Sequence, residues 1–453
     1  MTGARDQGDR VQKTDFPVLP RRCDVVVIGG GPAGSSVAAL LAKAGIEVVL
    51  LEKARFPRNQ VGESLIPHFW KFADLTGVSE KIEREGFITK AGGIIAWDGN
   101  IHQIAFSRFG YRRPALHVER DRFDTILLRH AESLGAQVYE QVSAKQIDLN
   151  HEQQVVVHYH NKRADTKSRI ACRIVVDASG PSSLLANQLS TRRLISSHLK
   201  FIALWGYFKN ARYLGLDGKS YGPEQLTEIQ PATFVQSYKD GWIWHIILRN
   251  TTSVGTVIHT DRLKGMDNSG RKRFFLDTLN SMPYLQKLLA PAKFIDGSIQ
   301  FRPDYSYYST QPCGAKYYCI GDAAGFVDPI YSHGVQNAFY NAATAAVAIR
   351  ATLHDPKNRE RYSRICQSRM QQFYSFSRSL ALGDYGEDSI NRELVKSFMR
   401  SMPPLELELM LAASEATNRA DNFRRLAHDA GLLAELYEGP DSCKAERMEA
   451  LEL

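Results

Sequence analysis

The feature that most constrains this chain lies near its start. An apolar run, Asp24 to Ile28, leads into Gly29-Gly30-Gly31-Pro32-Ala33-Gly34. An apolar stretch from Ser35 to Ala44 follows, and then a second apolar run that closes on Glu52 and Lys53. Strand, glycine turn, helix and strand in that order predict one βαβ unit. Gly29 permits the tight turn, Gly31 lets a pyrophosphate approach the backbone, and Gly34 lets helix and strand pack closely. The helix start at Ala33, Gly34 and Ser35 offers free N–H groups and the positive end of the helix dipole to phosphate. Glu52 stands 18 residues beyond Gly34, where an acid takes the ribose hydroxyls. A bare GxGxxG is weak evidence; with the strand before, the helix after and the acid in place, it specifies a dinucleotide site.

Length and composition suit a large core divided between two intimately joined domains and a tail: 453 residues, of which 43% are hydrophobic and 23% charged. The net charge is +8, but Lys and Arg are scattered, which reads as an ordinary solvated surface rather than a nucleic-acid face. No apolar run approaches the roughly 20 residues that span a bilayer. Residues 1–22 are polar and lack an apolar signal core, so they read as a flexible leader. Cys23, Cys172, Cys313, Cys319, Cys366 and Cys443 form no CxxC pair, which points to reduced thiols in the cytoplasm. Nor does any His, Cys or acid spacing suggest a metal.

Further along, periodicity predicts helices over Phe72–Glu85 and Val118–Gly135 and a short strand over Ala136–Tyr139. Strands follow from Val155 to Val176 and, rich in aromatics, from Phe201 to Ile258. Tyr317–Ile320 reads as a buried strand and Val335–Leu353 as an Ala-rich helix stopped at Asp355-Pro356. The chain is helical and charged from Lys357 and reads as frayed beyond about Glu438.

Two of these strands end in acidic turns: IVVDASG at 174–180 and YYCIGDAAGFVDP at 317–329. An acid such as Asp322 at a strand end can bind a ribityl hydroxyl, and the helix start behind it can face the electron-rich edge of a flavin. The order GxGxxG, DASG, GDAA makes the dinucleotide FAD rather than NAD.

From about Cys23 to Leu353 the chain resembles the flavin-dependent halogenases and their monooxygenase relatives. The resemblance rests on GGGPAGSS (29–36), EKARFPRNQVGESLIP (52–67), HVERDRFD (117–124), VVDASG (175–180), GWIWHII (241–247) and GDAAGFVDPIYSHGV (321–335). It implies an α/β fold in which a Rossmann-like FAD domain (23–200 and 300–353) is interleaved with an antiparallel substrate-binding sheet (201–299), followed by a helical region (354–453). In that family a flavin reductase or NAD(P)H supplies electrons, and reduced flavin activates oxygen. Hydroxylases pass the oxygen to an electron-rich ring. In halogenases a halide intercepts it as hypohalous acid, which a lysine directs onto the substrate.

The resemblance assigns residues one by one. Lys90 matches the catalytic lysine. Trp242 and Trp244 match the tryptophan motif that keeps substrate from the flavin, although Ile247 stands where proline is usual. Ser332, His333, Gly334 and Val335 match the halide loop at the flavin edge, with His333 where many relatives have serine; a histidine there can act as acid or base. Glu63 and Ser64 match a Gly-Glu-Ser triplet close to the flavin, and Arg120 an arginine facing its phosphates. Lys90 and the tryptophans favour halogenation; Ile247 and His333 favour hydroxylation. The substrate class is an electron-rich aromatic, free, carrier-bound or part of a polypeptide. A hydroxylase of tryptophan in a partner polypeptide is an alternative, and a flavin reductase of isoprenoid double bonds a more distant one.

Overall fold

A computed structural model describes residues 18–195, 200–303, 306–382, 392–432 and 445–453. Two sheets organise it. In the first, the strand order is Cys313–Gly314, Tyr317–Cys319, Thr166–Asp177, Arg22–Ile28, Val48–Glu52, Gln137–Glu140. Arg22–Ile28 runs parallel to Val48–Glu52 on one side and to the second half of Thr166–Asp177 on the other. The first half of Thr166–Asp177 pairs antiparallel with Val155–Asn161. Alternate residues explain the two-sided burial. Val25, Val27 and Leu50 face the helices Pro32–Lys43, Arg120–Ser133 and Gly334–His354, while Val26, Val49 and Val175 face the layer that carries Val155 and Val157. The parallel strands therefore bring Ile28, Glu52, Asp177 and Cys319 to one edge, where an open α/β sheet binds its ligand.

The second sheet is ordered Lys293–Phe294, Phe201–Lys209, Thr252–His259, Gly241–Ile247, Ala232–Tyr238, Gly92–Trp97, Asn100–Ala105, Glu446–Met448. It is antiparallel except where Ala232–Tyr238 meets Gly92–Trp97. Ile94, Phe234 and Ile243 pack on the helices Asn268–Asn280 and Pro283–Leu289. The opposite face, with Trp205, Val235, Trp242 and Trp244, packs against Phe373, Phe376, Leu407 and Phe423 of the C-terminal helices.

The sequence reading and the structure part at several places. The glycine-turn helix begins at Pro32 rather than Ser35, because proline's fixed φ suits a first helical position. The helix expected over Phe72–Glu85 is two, Trp70–Thr76 and Ser79–Glu85, broken where Gly77 takes φ +86°. Gly92–Trp97 and Asn100–Ala105, expected within the nucleotide-binding unit, hydrogen-bond into the second sheet. Beyond about Glu438, where the sequence reads as frayed, Glu446–Met448 pairs with Asn100–Ala105 as an edge strand. Most of the expected leader, and Cys443, lie outside the described residues. The other five cysteines are unpaired and buried. Among the described residues no helix is long and apolar enough to cross a membrane.

Candidate active site

The glycine turn is built for a diphosphate. Gly29 has φ +104°, and a Cβ there would lie 2.3 Å from the Ala178 carbonyl oxygen; one on Gly34 would lie 1.9 Å from the Gly29 oxygen. These two glycines therefore serve internal packing. Among the described residues beyond its chain neighbours and own helix, the group within 4 Å of a Cβ on Gly31 is the Arg58 guanidinium, at 3.4 Å. The helix behind it has neither a side-chain cap nor an acid in its first turn, so its leading N–H groups await an anion. Ser35 turns its hydroxyl inward to the Gly30 carbonyl, 2.9 Å. A second helix start, Gly334–His354, is likewise uncapped and free of acids. The two starts converge through Gly321, whose added Cβ would sit 2.9 Å from Ala33 Cβ and 3.6 Å from Ala338. Burial pushes Asp322, between them, up to about 6 against the pull of Arg120 and Arg302. Two anion-seeking helix ends, a guanidinium and an acid at a glycine-lined cleft fit FAD.

Three expected cofactor residues are placed differently from their simplest reading. Glu52 is buried, and its two oxygens accept the Gly30 and Ala54 amides at 2.6 and 2.7 Å, so it braces the glycine turn. Lys53 is solvent-exposed and donates to Ser182. Arg120 is buried, forks onto Asp124 at 2.8 and 3.0 Å, and donates to the Val61 and Gly62 carbonyls. The arginine beside Gly31 is Arg58, itself 3.0 Å from Asp124. Its position within EKARFPRNQVGES carried no signal that distinguished it from its basic neighbours.

Lys90 is 3% exposed, unlike most lysines. Its strand, Ile88–Lys90, pairs with Ala115–His117, and Nζ ends under the Phe106 ring, 5.3 Å from the centroid. Nζ donates to Ser64 Oγ at 2.7 Å and to Thr233 Oγ1 at 3.2 Å. Its hydrogen-bond acceptors are hydroxyls, not carboxylates, and burial brings it down to about 7. Ser332 Oγ donates to Ser64 Oγ at 3.1 Å, which ties the expected halide loop directly to the lysine cluster. Ser332 itself has φ +57°, a left-handed conformation uncommon for serine. His117 and Thr233 complete this cluster and were not singled out from the sequence.

The tryptophans connect to Glu63, next to Ser64 of the lysine cluster. Trp242 and Trp244 are buried on one face of their strand with ring centroids 5.9 Å apart. Gly255 opposite makes room for Trp244: a Cβ there would lie 2.1 Å from the indole. Trp244 Nε1 donates to Ser253 Oγ at 3.2 Å, and Ser253 to Glu63 at 3.4 Å. Tyr207 donates to the other Glu63 oxygen at 2.7 Å. Burial pushes the Glu63 carboxyl up. His333 lies between the rings of Tyr331 and Phe373, 6.0 and 6.3 Å away. Burial takes it down to about 4, so it is neutral at neutral pH. Nearby, Glu406 accepts from Gln336 at 2.8 Å and is pushed up to about 7 by burial. His68 stands 3.1 Å from Glu406, but burial lowers it to about 4, so this contact is a hydrogen bond of a neutral ring rather than an ion pair.

The nucleotide cleft on this fold defines a dinucleotide-binding protein with a site suited to FAD, and the comparisons give the same class. Residues 22–205 match the FAD binding domain family. A flavin-dependent halogenase from Armillaria mellea is 31% identical over 384 residues, covering 81% of this chain and 75% of that one. A tryptophan 2-halogenase from Chondromyces crocatus is 33% identical over 74% of this chain; the match spans 62% of the relative's length, less than two thirds. Among solved structures, the chondrochloren halogenase CndH superposes with TM-score 0.72 at 28% identity, covering 94% of this chain and all of that one. The flavin-dependent brominase Bmp2, at 23% identity, shares the fold with TM-score 0.71 over 90% of this chain and 99% of its own. The chain belongs to the flavin-dependent halogenases, and its cofactor is FAD.

Proposed function

We propose that the chain halogenates an electron-rich aromatic substrate and that Lys90 directs the halogen. The observation that carries this reading is a lysine buried among hydroxyls, joined through Ser64 to the Ser332 loop. Reduced FAD and oxygen supply the two-electron oxidation that makes halide electrophilic. The chain's own residues do the rest. Backbone N–H groups of His333, Gly334 and Val335, at a helix start, would hold the halide, the Ser332 N–H being already donated to the Pro329 carbonyl at 2.9 Å. Trp242 and Trp244, buried side by side, would separate cofactor from substrate. Lys90, brought to about 7, populates both protonation states near neutrality, as suits a group that hydrogen-bonds an oxidant and yields a proton. His333, neutral and packed among aromatic rings, shapes the halide loop rather than carrying charge there.

The reading places the protein in the cytoplasm, with a flavin reductase or NAD(P)H as electron source and a phenol, pyrrole or indole, free or carried, as substrate. The test is incubation with reduced FAD, oxygen, chloride or bromide and a panel of such aromatics, read by mass spectrometry. Products carrying the halogen isotope pattern are expected. Products that gain only oxygen would replace this reading with hydroxylation, which Ile247 and His333 favour.

A further inference from the structure

His117 is fully buried, and both ring nitrogens are engaged: Nδ1 lies 3.0 Å from the Ile247 carbonyl oxygen and Nε2 2.8 Å from Thr233 Oγ1. A carbonyl only accepts, so Nδ1 carries the hydrogen. Burial and the neighbouring Lys90 charge hold the ring neutral. Nε2 is therefore a lone pair, and Thr233 gives it the single hydroxyl hydrogen. What Thr233 turns toward Lys90 Nζ and Ser64 Oγ, each at 3.2 Å, is acceptor only. Ser64 must then direct its own hydrogen at Thr233, while its lone pairs receive Ser332 and Lys90. The direction of every hydrogen in the cluster follows from one carbonyl.

We propose that His117 is a positioning residue that, through Thr233, polarises the Ser64–Thr233 hydroxyl pair so that Lys90 is held as a hydrogen-bond donor to both. Nζ then keeps its third N–H for an oxygen or halide acceptor brought by the reaction. The inference rests on the reading of Lys90 as the directing group, but it concerns the protonation of that lysine and is measured separately. The other ionisable groups packed around this cluster do not set the polarity. Glu63 spends its carboxylate on Tyr207, Ser253 and the Gly62 amide; Arg120 is bound to Asp124; His245 lies beyond His117 and is itself held neutral by burial. Without an acceptor at position 117, the Thr233 hydrogen is free to turn to Nζ. That arrangement favours the neutral amine and lowers the Lys90 titration midpoint by about one unit, the scale of one hydrogen bond to a charged group.

The experiment uses the full chain loaded with FAD and labelled with [ε-13C]lysine. The Lys90 signal is identified by its loss in Lys90→Arg and followed from pH 5 to pH 10. His117→Leu should lower the midpoint by about one unit, and His117→Gln, whose amide oxygen can replace Nε2 as acceptor, should return most of the shift. The pH profile of halogenation should move with the midpoint. A wild-type midpoint in His117→Leu, or equal shifts in the Leu and Gln variants, would overturn the inference. Should His117→Leu fail to fold, Thr233→Ser must keep the midpoint and Thr233→Val must lower it; the reverse outcome refutes the relay. A shifted midpoint together with a fully active Lys90→Ala variant would leave the relay standing and remove the catalytic reading. An unshifted midpoint with an inactive Lys90→Ala would do the opposite.

Discussion

Replacing Lys90 by methionine should stabilise the fold while abolishing the reaction, and the gain should depend on pH in a defined direction. Burial lowers Lys90 from 10.5 to about 7 in the folded chain. In the unfolded chain it titrates near its ordinary value, so between those limits the unfolded state binds more protons and wild-type stability rises with pH. The penalty is fully present below about pH 7 and is relieved as pH rises toward the unfolded value. Integrated over these values it amounts to roughly 4 kcal/mol at pH 7 and roughly 2 kcal/mol at pH 9. Methionine has a similar length and no charge to desolvate, and the Ser64 and Thr233 hydroxyls keep each other, Ser332 and His117 as partners. The stability difference between Lys90→Met and wild type should therefore shrink by about 2 kcal/mol from pH 7 to pH 9, since every other titrating group is common to both. Urea denaturation of both proteins at the two pH values measures it. A difference that is the same at pH 7 and pH 9 would refute a buried, strongly perturbed lysine.

Other substitutions test neighbouring parts of the site. Gly255→Ala places a Cβ 2.1 Å from the Trp244 indole and 2.6 Å from Trp205 Cβ, so it should cost about 1–3 kcal/mol of stability and alter tryptophan fluorescence; an unchanged spectrum and midpoint would contradict the packing. Arg58→Ala should weaken FAD binding by about ten-fold in a fluorescence titration, the scale of one charge-assisted hydrogen bond, with little loss of fold. Arg120→Ala should instead destabilise the apoprotein, because it strips the fully buried Asp124 of its bidentate partner. Glu406, raised by burial to about 7, contributes stability below its unfolded value that is lost as pH rises through 7. Glu406→Gln should therefore gain on wild type by up to about 3 kcal/mol between pH 5 and pH 8, and a gain independent of pH would exclude a buried, perturbed carboxyl.

What the sequence made legible was what local pattern controls. The βαβ unit, the acidic strand ends and the long Ala-rich helix each follow from periodicity and turn chemistry within about twenty residues. The same rules gave Gly29 its positive φ and Gly34 its close packing, as their surroundings show. Assignments that depend on distant partners were less visible. Whether Lys90 is exposed or buried is decided by Ser64, Phe106, His117 and Thr233, contributed by four separate segments. Likewise, Arg58 rather than Arg120 stands beside Gly31, because Asp124 together with the Val61 and Gly62 carbonyls holds Arg120. Gly92–Trp97 joined the second sheet for a similar reason: its parallel partner, Ala232–Tyr238, lies well over a hundred residues away. No local periodicity reports such a pairing.

The proposed function turns on Lys90 directing an electrophilic halogen onto the substrate after the halide has been oxidised. The most direct measurement compares wild type and Lys90→Ala with reduced FAD, oxygen, bromide and an aromatic substrate, following both halogenated product and free hypobromous acid captured by a dimedone probe. Halogenated aromatic should fall by roughly a hundred-fold or more while reduced FAD is still consumed and the probe is still brominated. Halogenated aromatic formed by Lys90→Ala at the wild-type rate would contradict it.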